Sequence, residues 1–303
     1  MKKKIPVGGA IAHAYRFVVT QPLTIFKAAW LPLLASMVLL FLFFRRMSLF
    51  LTAAQAHDPA AVSLFGSLLL LIVLILIFFF AQFTAITEAA LGRPPKSWVA
   101  LHFDRTMWRV LGGFLAAAGV IAVITIMTMI VSYLLALGLD MMVKAAPGTR
   151  PISAVAAGVE IIACLCVIFF IGLRFLFLLG PVTVSETGLG LARSWVLSKG
   201  NFWRAFLITL SITIPVGIAN RMLSFALVGL PPTLPPGTAK AAQDAAEATW
   251  QITQMNAMAD HWYITLPIMG LVMLFQLGAG CAAQAFAYRK LAEDDGLAPI
   301  AGD

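Results

Sequence analysis

Long apolar runs alternate along the chain with short polar interruptions, and the runs fall into one length class. Segment 62–86, "VSLFGSLLLLIVLILIFFFAQFTAI", contains no charged residue. A helix needs roughly 20 such residues to cross a hydrocarbon core about 30 Å thick. By that criterion spans fall at about 28–44, 62–86, 109–139, 152–180, 204–230 and 262–288. Runs this unbroken predict helices, because barrel strands alternate apolar and polar positions over about ten residues. The expected fold class is all-α integral membrane, with six transmembrane helices in a single membrane domain, 1–303. The third and fourth spans exceed what a bilayer requires, so they tilt or project. Pro32, Pro215 and Pro267 lie inside spans and are expected kink points.

One interruption has a pattern of its own: "LARSWVLSKGNFWRAF", Leu191 to Phe206. It is too polar and too short to span. Leu191, Trp195 and Ser198 share one helical face, while Arg193 and Lys199 reach outward. Gly200 suits the left-handed position that ends a helix, and Asn201 suits the N-cap of the next. Trp195, Phe202 and Trp203 are expected interfacial anchors, as is Trp108 ahead of the third span. The segment therefore reads as a helix lying in the interface, a corner, and a descent into the membrane.

The same order of features occurs twice more. Shifted by 178 positions, Ala14, Phe17, Val18, Val19 and Thr20 fall on Ala192, Trp195, Val196, Leu197 and Ser198. The segment "PKSWVALHFDRTMWRVLGGF" precedes the third span, and its Trp108-Arg109 echoes Trp203-Arg204. Three repeats are expected, 10–90, 91–182 and 183–290, each an interfacial amphipathic helix followed by a helical hairpin.

Composition agrees with a lipid solvent: 61% of residues are hydrophobic and 11% charged, against roughly 25% charged in soluble domains. The net charge of +8 could suggest nucleic acid, but its distribution explains it otherwise. Fourteen Lys and Arg residues lie on the side that six spans give to both termini, and five on the opposite side. That asymmetry predicts a multi-pass protein of the bacterial inner (cytoplasmic) membrane with both termini cytoplasmic. Nucleic acid is not an expected partner. The basic N-terminus lacks a cleavage pattern, so it is expected to be retained, the first span serving as an uncleaved anchor.

"ARSWVLSKGNFWRAF" resembles the signature of the membrane domain fused to some bacterial glycerophosphoryl diester phosphodiesterases, shared with stand-alone inner-membrane proteins. The matching residues are Ala192, Ser194-Trp195, Leu197, Lys199-Gly200-Asn201 and Trp203-Arg204. The resemblance implies a six-span membrane fold over the whole chain and no catalytic residues. The phosphodiesterase barrel, with its His-Arg and Glu-x-Asp metal site, has no counterpart here: no His-Arg pair occurs.

No chemical motif stands out. Gly8-Gly9 and Gly112-Gly113 lack the Lys-Ser/Thr of a phosphate loop, and the second pair lies in a span where small residues allow close helix approach. The four histidines lie in separate segments, and Cys164, Cys166 and Cys281 lie in apolar runs, so neither a metal nor a cofactor is expected.

Charges within spans are the default functional candidates. Glu160 and Arg221 lie about 30 and 25 Å from the cytoplasmic ends of their helices, counted at 1.5 Å per residue. They could form an intramembrane ion pair, fix helix register, or reach the outer headgroups separately. Arg174, near its cytoplasmic end, could snorkel or pair with Glu186 or Glu88. With Arg193, Lys199 and Arg204 it could instead frame an inner-leaflet site for anionic lipid. The long outer segment before the sixth span is helix-prone, with Trp250, Met255 and Met258 spaced for one face. It could lie on the membrane, cap the bundle or simply connect.

The expected function is thus a non-enzymatic integral membrane protein that organises or handles membrane lipids or partner proteins. The alternative is a transporter or lipid-moving permease, whose path only Glu160, Arg221, Gln82, Gln276 and Gln284 could line. Membrane lipids, anionic ones included, are the expected partners. No protein partner is identified, and an oligomer is compatible with the sequence.

Overall fold

The structure is a computed structural model and describes residues 4–93, 103–145, 150–186, 188–229 and 240–293. Those residues form ten helices and no strand. They are α1 (Val7–Thr20), α2 (Pro22–Gln55), α3 (Ala60–Ala90), α4 (Arg105–Ala145), α5 (Arg150–Leu176), α6 (Leu179–Ser185), α7 (Leu191–Leu197), α8 (Phe202–Val228), α9 (Lys240–Asp260) and α10 (Trp262–Ala292). Six segments are long and apolar enough to cross a membrane: Pro22–Gln55, Ala60–Ala90, Arg105–Met141, Gly158–Ser185, Phe202–Leu223 and Trp262–Ala292. The chain is a multi-pass, all-α membrane protein. The helices continue through Pro32, Pro215 and Pro267.

The fourth span departs from the expected single helix. It breaks at Phe177-Leu178 and resumes as the short α6. The cause is local: Pro181 has no N–H to return to the Phe177 carbonyl, and its ring crowds that carbonyl. Proline is tolerated in a first turn, so the helix restarts just ahead of it. Gly180 beside it lets the Phe83 ring approach, where a Cβ would lie 2.6 Å from two ring carbons.

The core lies at one end of the bundle, the end that holds α1, α6, α7 and the last turns of α3 and α10. We call this the terminal face. α10 is the central element and touches α1, α2, α3, α6, α7, α8 and α9. Of its most apolar window 44% is buried, against 6% for α4. Between Leu274 and Tyr288 its buried residues are all small: Gly278, Ala279, Cys281, Ala282, Ala283, Ala285 and Ala287. Residues this small let backbones approach closely, which is how helices pack where lipid removes the hydrophobic drive. A Cβ on Gly278 would stand 3.0 Å from the Ile25 Cδ1.

On the far face α9 is a helix that packs against α2. Met255, Met258 and Ala259 meet Phe44 and Leu266, and the Ser48 hydroxyl donates to Asn256 Oδ1 at 2.6 Å. Of the possibilities for this segment, the structure realises a cap on the bundle. The Pro-rich stretch ahead of it, and most of the amphipathic segment expected before α4 (94–102), lie outside the described residues.

The Gly112-Gly113 pair does admit a close approach, by a loop rather than a helix. A Cβ on Gly113 would lie 2.8 Å from the Leu189 carbonyl oxygen, whereas one on Gly112 would meet only the Leu189 Cδ2 at 3.4 Å. Backbone cannot step aside as a methyl can, so Gly113→Val should cost about 1–3 kcal/mol of stability. Thermal unfolding in detergent should show a clearly lowered midpoint for Gly113→Val and almost none for Gly112→Ala.

Candidate functional site

At the terminal face the polar corner of the sequence becomes a set of side chain to backbone ties. Gly200 is left-handed, φ 83°, as its position requires. Asn201 precedes α8, but its side chain caps nothing in that helix. Its Oδ1 accepts from the Ile5 N–H at 3.1 Å, while Arg204 Nη1 donates to the Ile5 carbonyl at 2.7 Å. The corner therefore holds the start of the chain, 196 and 199 residues away. α7 is helical as expected, yet its buried face is Ser194, Leu197 and Ser198, with Trp195 half-buried. The Ser194 hydroxyl donates to the Phe175 carbonyl at 2.7 Å, which turns this face inward.

Arg174 pairs with neither Glu186 nor Glu88. Its guanidinium lies 3.6 Å over the Trp195 ring and donates to the Trp195 carbonyl at 2.9 Å. Glu186 instead accepts from Arg193 Nε at 3.2 Å and from the Tyr288 hydroxyl at 3.1 Å. Arg109, which the sequence marks only as a basic residue after a Trp, donates to the carbonyls of Thr183 at 2.9 Å and Gly188 at 3.1 Å, and to that of Glu186. Three of the four proposed lipid-contacting cations, Arg174, Arg193 and Arg204, thus have protein partners, and Lys199 is exposed. The aromatic anchors divide. Trp203 and Trp108 are exposed, whereas Phe202 packs against Phe170 with ring centroids 4.7 Å apart.

The Glu160–Arg221 pair does not form. Arg221 is exposed and lies over its own neighbour, the Phe225 ring, at 5.6 Å. Glu160 Oε1 is buried without a hydrogen-bond partner. The reason is helix rotation. Cys164, one turn after Glu160 and on the same face, meets Ser132 of α4 at 3.5 Å, so that face of α5 is turned to α4 rather than to α8. Gln82 donates to the Ser36 hydroxyl at 2.8 Å, while its Oε1 is buried without a hydrogen-bond partner.

The other two glutamines line a cavity in the bundle. A cavity of about 510 Å³ lies between α3, α4, α5, α8 and α10. Its walls are largely aromatic and aliphatic, including Phe79, Phe114, Phe169 and Ile208, and Gly172 and Gly280 leave it room. Thr209, Thr213, Gln276 and Gln284 are its polar groups. Gln284 Oε1 is buried without a hydrogen-bond partner, while Thr213 and Gln276 are exposed, so the cavity opens at their level. The volume falls within the range of ordinary ligand pockets, about 300–1,000 Å³. Gly172 and Gly280, which border it, carry no sequence motif, and only the glutamines signalled the place. Among the described residues no three of His, Cys, Asp and Glu stand together as a metal site would need.

No protein-family model matches the chain, and comparison with curated proteins and with solved structures finds no match.

Loss of the Asn201 amide would leave the buried Ile5 N–H unpaired, a cost of about 1–3 kcal/mol. Asn201→Ala should lower the unfolding midpoint in detergent and expose the N-terminal segment to protease. Asn201→Asp keeps the acceptor and should retain most of the stability.

Proposed function

We propose that this is a non-enzymatic protein of the bacterial cytoplasmic membrane, both termini cytoplasmic, that handles membrane lipid by seating an acyl chain among its helices. The observation that carries the reading is the cavity between α5, α8 and α10: apolar walls, an opening beside Thr213 and Gln276, and one unpartnered buried oxygen on Gln284. An apolar chain would cover the phenylalanines, and the glycerol end of a lipid carries hydroxyl groups that could donate to Gln284. The 14-to-5 excess of Lys and Arg on the terminal side supports that orientation, in which the cavity would lie in the inner-leaflet half. Phospholipids, anionic ones included, are the partners this reading names.

A permease is the second reading, because Thr213 and Gln276 expose polar groups about halfway along their helices. Reconstituted Gln276→Leu protein that stops moving labelled lipid between leaflets, yet keeps its bound lipid, would favour it.

The direct test fills the cavity. A Cβ on Gly280 would meet nothing within 4 Å, so Gly280→Leu can place its side chain in the space without displacing the helices. The substitution also removes a helix-interior glycine, worth about 0.8–1 kcal/mol. Lipid-resolved native mass spectrometry should find phospholipid retained by the purified wild type and severalfold less on Gly280→Leu of equal or higher stability. Equal retention by the two would reject the cavity as the lipid site.

A further inference from the structure

A second recess of about 390 Å³ lies at the terminal face, where α1, α2, α3 and α10 converge. Its polar lining is His13, Gln21, Thr24 and Arg289, with Gly92 at one edge and no carboxylate among the described residues that line it. We propose that this recess binds a phosphate group.

The donors there exceed what the protein itself uses. Arg289 Nη2 donates to the Ala90 carbonyl at 2.9 Å, and a guanidinium carries five N–H groups in all. Gly92, left-handed at φ 84°, brings the chain close enough that a Cβ would stand 3.7 Å from that nitrogen. The carboxylate that acts on Arg289 is Glu293, and it is bonded to Lys290 at 3.1 Å. His13 stacks beside Phe286 with ring centroids 5.2 Å apart, and its imidazole is held below its ordinary value by burial, then by Arg289 and Arg16. A site that disfavours a further positive charge on His13 through two arginines favours a bound negative one by the same Coulomb interaction. The C-terminal carbonyls of α3 act against an anion, and Arg289 offsets them by capping Ala90. The Gln21 side chain caps nothing in α2, so its amide and the Thr24 hydroxyl line the recess as further polar groups.

The location narrows the class of ligand. Gln21 stands one residue before the first span, Gly92 two residues after the second ends, and Arg289 in the last turn of the sixth. Three spans thus put the recess at the level of the headgroups, where basic pockets between helices hold lipid phosphates. A phosphate there could belong to an anionic lipid or to a soluble compound. The site shares no residue with the cavity between α5, α8 and α10 and stands whether or not that cavity takes a chain.

The experiment follows the His13 imidazole by NMR in full-length protein held in a maltoside detergent, which carries no phosphate. Inorganic phosphate and phosphatidylglycerol are titrated separately. Either ligand should raise the His13 titration midpoint, and Arg289→Ala should weaken that response about tenfold, the worth of one charged hydrogen bond. Arg289 also supports α3, so Thr24→Val, which leaves the bond to Ala90 untouched, is the second variant and should weaken the response severalfold. A response to inorganic phosphate assigns a soluble ligand, and a response to phosphatidylglycerol alone assigns a lipid headgroup. No response to either, or a response equally strong in both variants, overturns the proposal.

Discussion

Arginine to carbonyl bonds close the ends of the helices on which the terminal face is built. A helix leaves its last four carbonyls without partners within the helix. Arg109 closes α6 through Thr183, Glu186 and Gly188, Arg174 closes α7 through Trp195, and Arg289 closes α3 through Ala90. Arg204 closes no helix end but binds the Ile5 carbonyl just ahead of α1. A cation at a helix C-terminus also meets the favourable end of its dipole. Each of these bonds ties two different segments, so α4 is held to α6, α5 to α7, α10 to α3, and α8 to the start of the chain. The corner at Gly200-Asn201 is thereby a junction of the fold as well as a turn.

Packing follows from where those ties lie. They draw the helices together at one end, and the small residues of α10 allow the approach, so the core is concentrated there. Beyond it α4 is left almost wholly to surrounding apolar surface. The large cavity occurs where the same economy of side chains goes further than contact needs. Gly172 would bring a Cβ no nearer than 3.8 Å to Ile121, and Gly280 would meet nothing within 4 Å. Between them the walls are phenylalanine and isoleucine, with few polar groups to hold water.

The spans were legible in the sequence because their length is set by the solvent, and the turn at Gly200 was legible because a left-handed residue is so often glycine, whereas Asn201 caps nothing in α8 and holds Ile5 instead. Arg109 and Arg204, each following a Trp, both reach backbone carbonyls far along the chain, those of Gly188 and Ile5. What a hydropathy pattern cannot give is the direction of a side chain. The break before Pro181 was hidden inside an apolar run, and the inward face of α7 was misread by one position because serines form it. Glu160 and Arg221 matched in depth but not in rotation. For Arg174, Arg193 and Arg204 a lipid site was one of several readings open, because a sequence shows a cation and not the carbonyl or carboxylate beside it. The two glycines that leave the cavity its room were indistinguishable from glycines that serve packing.

The central claim is that the cavity between α5, α8 and α10 seats a lipid chain, and its most direct test is electron cryo-microscopy of the protein in lipid nanodiscs. The account predicts continuous rod-like density against Gly172, Ile208 and Gly280, ending near Gln284. A cavity collapsed onto its own side chains, or one holding only discrete water density, would contradict it.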